Sequence, residues 1–168
     1  MPHAVDNAVS WMGGRRGQLT THLLPCLSLF ALGLSVNLYF SRRGFMPLDH
    51  SIVFDGAWRI LSGQIPVRDF FVLHSIVPMV GQCAFFKVFG VTWFAFCLHA
   101  SVINGLCCMV VYAVLWSAGA SRCMALAYAG LSALTFAPPY GMPSGELYAF
   151  FFMSLSLLVM LAGRTASS

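Results

Sequence analysis

Thr92 to Ser117 reads TWFAFCLHASVINGLCCMVVYAVLWS, without one Asp, Glu, Lys or Arg. A run of that length and apolarity fits a transmembrane helix better than a soluble core helix, and Trp93 and Trp116 stand near its ends, where interfacial aromatics belong. The rest of the chain agrees: 59% of residues are hydrophobic, 8% are charged and the mean hydropathy is +0.81. The apolar runs lack the alternation of barrel strands, so the backbone must satisfy its hydrogen bonds within helices. The sequence therefore predicts an all-α, polytopic membrane protein.

Working outward, Leu23 to Phe40 is a first span, reaching roughly 27 Å at about 1.5 Å per residue. Met124 to Ala137 is a further apolar run, stopped by Pro138-Pro139-Tyr140-Gly141 and Pro143, and Leu147 to Ala162 is the last. Pro78, Gly81, Gln82 and Lys87 interrupt Phe71 to Phe89, which either crosses or stays shallow or re-entrant. About four full spans are expected, with juxtamembrane helices in the first outer loop.

Residues 1–18 read as a short cytoplasmic tail without helical periodicity. Arg15 and Arg16 set the orientation, and no twin-arginine export signal follows them. The membrane module covers 19–164, with an outer loop at 41–75. Residues 165–168 form a polar end that reads as a truncation point, so a C-terminal part or a partner subunit is expected. The membrane is expected to be the bacterial inner (plasma) membrane. If Phe71 to Phe89 stays short of crossing, Arg15, Arg16, Arg122 and Arg164 face the cytoplasm while Asp49, Asp55, Asp69 and Glu146 share the other side. Positive-inside counting favours that arrangement, although Arg42 and Arg43 strain the rule.

Several classes find no support. Nine basic residues give a net charge of +4, but they are scattered among loops and form no nucleic-acid stripe. Six cysteines occur without CxxC or zinc-finger spacing and read as small buried hydrophobes. There is no Walker loop, GxSxG or HExxH, and no metal ligands are assigned.

Polar residues concentrate in Gly44 to Ser75, GFMPLDHSIVFDGAWRILSGQIPVRDFFVLHS. Ser51 to Leu61 reads as an amphipathic surface helix, with Val53, Phe54, Ala57, Trp58 and Leu61 on one face and Asp55 and Arg59 paired at i, i+4 on the other. Gly63 suits a left-handed cap, Pro66 stops continuation, and Gln64 to Phe70 should be extended. Asp49 is either a helix N-cap or a carboxylate that accepts a proton from an acceptor hydroxyl, and both roles are compatible. Arg68 and Asp69 either pair or serve a site, and His74 is either a satisfied interfacial residue or a ligand-binding one. With His50 and Arg59 they could supply acid/base and phosphate-binding groups. Glu146 favours the start of the last span and is also a candidate functional acid. His99, Ser101, Asn104 and Gly105 read as helix-packing residues.

The order of these features resembles the N-terminal part of GT-C fold membrane glycosyltransferases, which include protein O-mannosyltransferases, the aminoarabinose transferase of lipid A and dolichyl-phosphate-mannose-mannosyltransferase-like proteins. The resemblance covers about Leu19 to Arg164. It rests on the first span, Asp49, the run from Asp55 through Trp58, Gly63 and Pro66 to Phe70, then His74, the Phe89-Gly90-Val91 break and the Pro-rich turn before Glu146. It implies sugar transfer from a polyprenyl-phosphate donor on the non-cytoplasmic face. Asp49 would be the catalytic base or acceptor-orienting group and Glu146 the second catalytic carboxylate on the same face, Arg68, Asp69, His74 and His50 would bind substrate, and a divalent metal is left open as a cofactor. His50 replaces a common second acid, Val67 a frequent Tyr, and Ser75-Ile76 a common Gly-Pro. The competing class is a non-catalytic helical membrane protein, such as a transporter fragment or an assembly subunit.

Overall fold

The computed structural model describes residues 3–43, 47–73, 75–135 and 141–166, and among them every regular element is a helix: α1 His3–Ser41, α2 Pro47–Leu61, α3 Ile76–Phe89, α4 Trp93–Ser117, α5 Arg122–Ser132 and α6 Gly145–Ala166. Among the described residues, three stretches are long and apolar enough to cross a membrane, His22–Ser41, Trp93–Ser117 and Gly145–Gly163. The all-α membrane class stands. The first helix runs back to His3, where a tail without helical structure was expected. Extending an existing helix adds one hydrogen bond per residue without a new nucleus, so it needs no amphipathic pattern of its own.

The α4 helix is the centre of the bundle. In the most apolar window of each span, 56% of α4 is buried, against 22% in α1 and 11% in α6. Small residues let α1 approach it closely. A Cβ added at Gly33 would lie 2.9 Å from the Gly105 Cα, and one added at Gly105 would lie 2.8 Å from the Phe30 carbonyl oxygen. Without a hydrophobic driving force between helices in lipid, such backbone approach and the dispersion contact it permits hold spans together.

The third span begins at the end of α4 where that helix itself begins, because Tyr148 of α6 meets His99 of α4. Leu147, Tyr148 and Ser154 are buried and Phe151, Leu158 and Leu161 half-buried, a helical stripe laid along α4. The two spans therefore run in the same direction, and the chain must return between them.

That return differs from the full span expected over Met124 to Ala137. The α5 helix has 11 residues, about 16 Å at helical rise, against a bilayer core of about 30 Å. It packs antiparallel to the far half of α4, with Ala125, Ala129 and Ala133 clustered against Leu29, Cys108 and Tyr112. The chain then turns at 133–135, and 141–144 is non-helical. Non-helical backbone at membrane depth must find partners inside the protein, and two asparagines provide them. Asn104 Nδ2 donates to the Ala133 carbonyl at 3.0 Å and to the Gly33 carbonyl at 3.1 Å. Asn37 Nδ2 donates to the Gly141 carbonyl at 3.3 Å and to Ser101 Oγ at 3.1 Å. Among the described residues, three single-helix spans and the half-length α5 stand where four full spans were expected.

The α2 and α3 helices fill the first connection. Pro47 opens α2, where its fixed φ and missing N–H cost nothing. Its end is a Schellman cap: Gly63 at φ 89°, with Gln64 N donating to the Arg59 carbonyl and Gly63 N to the Ile60 carbonyl, each at 3.0 Å. At 14 residues, or about 21 Å, α3 is too short to cross. It packs on α2 and on the first turns of α4, so the described part of Phe71 to Phe89 holds no helix of spanning length.

Candidate functional site

One end of the bundle gathers the polar loops: the end of α1, both short helices and the beginnings of α4 and α6. A Cβ added at Gly141 would lie 2.8 Å from the Ser41 Cβ, and one added at Gly145 would lie 3.4 Å from the Ser75 Cβ. Asp49, in the first turn of α2, and Glu146, in the first turn of α6, are therefore at the same end. Asp49 is half-buried and Glu146 exposed, and each has an interaction partner. Asp49 lies inside the helix rather than capping it, where its charge favours the helix N-terminus.

His50 was expected to bind substrate. Its ring is 1% exposed and is packed 5.4 Å from Trp93 and 5.6 Å from Phe96 between centroids, so it anchors α2 to α4. His74 lies outside the described residues.

Asp55 and Arg59 pair at 2.7 Å as the i, i+4 spacing required. The segment expected to be extended, Gln64 to Phe70, is instead a tight turn. Val67 N donates to the Phe70 carbonyl at 3.0 Å, Asp69 N to the Ile65 carbonyl at 2.9 Å, and Ile65 N to Asp69 Oδ2 at 2.7 Å. Arg68 grips the same carboxylate with two bonds of 2.8 Å. That guanidinium, and secondarily the Ile65 amide, hold the Asp69 carboxyl below its ordinary range, while Asp69 raises the guanidinium in turn. The Pro66 signal was legible, but the carboxylate that pulls the chain round is supplied three residues later. Val67 takes a positive φ of 71°, unusual for a β-branched residue.

Asp55, Arg59 and Asp69 line a cavity of about 350 Å³ with Phe70 and Met79. Beside it, between α2 and the beginning of α4, Phe54, Trp58 and Trp93 wall a largely aromatic groove of about 540 Å³ that also reaches Asp55. The arrangement can hold an amphiphile with its apolar part against the rings and its polar part toward the paired charges.

Sequence reasoning missed a buried polar relay across three helices. His99 Nδ1 meets Gln82 Oε1 at 2.8 Å and its Nε2 meets Tyr148 Oη at 2.5 Å. A Cβ at Gly81 would collide with the Tyr148 hydroxyl, so the glycine leaves room for the contact. Gln82 and His99, polar in otherwise apolar runs, were the visible signal, but neither named Tyr148. Among the described residues no group of His, Cys, Asp and Glu could hold a metal ion. No protein family model, curated protein or solved structure matches the chain.

Proposed function

We propose that the chain is a GT-C-like membrane glycosyltransferase module that transfers a sugar from a polyprenyl-phosphate donor. The observation that carries this reading is the approach of Ser75 to Gly145, which brings the connection between α2 and α3, and with it Asp49, to the end of the bundle where Glu146 begins α6. The aromatic groove beside α2 supports it as a seat for the first isoprene units. In this reading the acceptor hydroxyl oxygen attacks the anomeric carbon as the bond from that carbon to the phosphate oxygen breaks. The hydroxyl proton passes to the Asp49 carboxylate and the electron pair leaves with the lipid phosphate, inverting the anomeric centre. Glu146 orients the acceptor. The Arg68–Asp69 turn borders the site, the N-terminus is cytoplasmic, and transfer occurs on the opposite face of the bacterial plasma membrane.

The test is sugar transfer from a polyprenyl-phosphate donor by the chain reconstituted in vesicles, together with the C-terminal part or partner subunit that the reading calls for. Asp49→Asn should lower the rate by about a hundredfold or more, the usual scale of general-base catalysis; unchanged transfer defeats the assignment. Cysteines introduced at 49 and 146 should label from one side of the vesicle, and labelling from opposite sides defeats the shared site.

The discontinuous return through α5 favours a second reading, a non-catalytic transporter-like module, because broken helices satisfied by side chains also build transport pathways. That reading expects no sugar transfer and a loss of solute flux on replacing Asn104.

A further inference from the structure

Two arginines follow the end of the α1 helix at Ser41, and their surroundings differ from those of Arg59 and Arg68. The latter are held by Asp55 and Asp69, and among the described residues neither Arg42 nor Arg43 forms an ion pair. Both are exposed at the close of a membrane-spanning stretch. They cap a groove of about 420 Å³ lined by Leu34, Ser35, Leu38, Tyr39 and the two arginines themselves. The Arg43 guanidinium lies 4.0 Å from the Tyr39 ring centroid, and its backbone amide closes the helix on the Phe40 carbonyl at 2.9 Å. Cation–π contact and the helix end hold the guanidinium in place and leave its donors available.

The groove is polar at one end and apolar at the other. From Arg42 down to Leu34 is about 12 Å along the helix, from the headgroup zone into the hydrocarbon. A free anion would use only the arginines; an apolar partner would use only the leucines. An amphiphile with a phosphate head and hydrocarbon chains uses both.

We propose that this groove is a binding site for the phosphate of a membrane lipid. Arg42 and Arg43 take the phosphate oxygens, the Tyr39 hydroxyl flanks the head, and Leu38, Ser35 and Leu34 line the path of the first methylenes. Guanidinium donors match phosphate geometry, and arginines at a membrane surface attract anionic lipids. The proposal also supplies a reason for two adjacent arginines on the side of the first loop, where the positive-inside bias disfavours them. It does not rest on the glycosyltransferase reading, since a phospholipid and a polyprenyl phosphate offer the same group.

Native mass spectrometry of the detergent-purified chain tests it, with phosphatidylglycerol, a polyprenyl phosphate and diacylglycerol as probes. Both phosphate lipids should remain bound and diacylglycerol should not. Preferential retention of the polyprenyl phosphate identifies the groove as a carrier-lipid site, and equal retention identifies it as a phospholipid site. The Arg42→Gln/Arg43→Gln variant should retain roughly tenfold less of either, Arg42→Lys/Arg43→Lys should fall between that variant and the unmodified chain, and Arg122→Gln, a charge loss at the opposite end of α4, should retain as much as the unmodified chain. Equal binding of diacylglycerol, an equal loss in Arg122→Gln, no loss in the glutamine variant, or displacement of the lipid by inorganic phosphate would each overturn it. Loss of sugar transfer in Asp49→Asn with lipid retention intact separates this site from the proposed reaction.

Discussion

The Asn104 amide donates to the Ala133 carbonyl over 3.0 Å, joining the middle of the central span to the end of the half-length helix beside it. The same nitrogen reaches the Gly33 carbonyl on the other flank, so one side chain ties three segments together. Replacing Asn104 with Leu leaves the Ala133 carbonyl without this donor at membrane depth. Interhelical hydrogen bonds in membranes are worth about 0.6 to 2 kcal/mol each. Unfolding of the variant in mixed micelles should show a loss of that order, with α5 losing amide-exchange protection before α1.

Gly105 sets how near α1 can come. The Gly105→Ala methyl would meet Phe30 backbone and ring at 2.8 Å, and backbone cannot move aside as a flexible side chain can. Overpacking of this kind costs about 1–3 kcal/mol. A lowered melting temperature in detergent checks it, whereas Gly163→Ala, with nothing near the added carbon, should melt as the unmodified protein does.

Gly81→Ala should act first through the Tyr148 hydroxyl and then through His99 Nε2, 2.9 Å from the added carbon. Alone it should destabilise the helix packing; in a Tyr148→Phe background, where that oxygen is gone, the cost should shrink. Melting temperatures around the double-mutant cycle should therefore be non-additive. Additive losses would mean that the glycine serves something other than the His99–Tyr148 contact.

The 65–70 turn should respond to acid in a defined direction. The Asp69 carboxyl is depressed in the folded chain by Arg68 and by the Ile65 amide, so its contribution is present in full above the ordinary Asp value of about 3.9 and is lost as pH falls through the depressed folded value. Protection of the Ile65 amide against hydrogen exchange, corrected for intrinsic rates, should stay flat from neutral pH down to about 4 and decline below it. In Asp69→Asn that protection should be weaker at neutral pH and show no decline on acidification.

Val67 holds a left-handed backbone conformation with its side chain 74% exposed, so little burial opposes a substitution there. Backbone strain of this kind costs on the order of 1–3 kcal/mol, and Asn tolerates the conformation far better. Val67→Asn should stabilise the turn by about 1 kcal/mol, seen as slower local exchange over 65–70. Faster exchange would show that the valine contributes packing beyond its exposure.

The membrane class, the apolar runs, the α2 helix with its Asp55–Arg59 pair and the Gly63 cap were legible because each depends on neighbours within about one helical turn or on bulk apolarity. The fate of Met124 to Ala137 was not, because its composition fits a span while its early end depends on donors from Asn104 and Asn37, far away in sequence. The turn at Asp69 was misread for a similar reason: Pro66 was visible, but a carboxylate's choice between neighbouring backbone amides is a three-dimensional matter. His50 carried a polar label into a buried aromatic cluster for which local sequence holds no sign.

The chain's apolarity by itself determined that it forms membrane-length helices, since a backbone in hydrocarbon has few ways to satisfy its hydrogen bonds. Tertiary structure alone decided which polar residues stay with the fold and which face outward. Asn37, His99 and Asn104 became internal partners through contacts between residues distant in the chain, and helical periodicity records nothing of them.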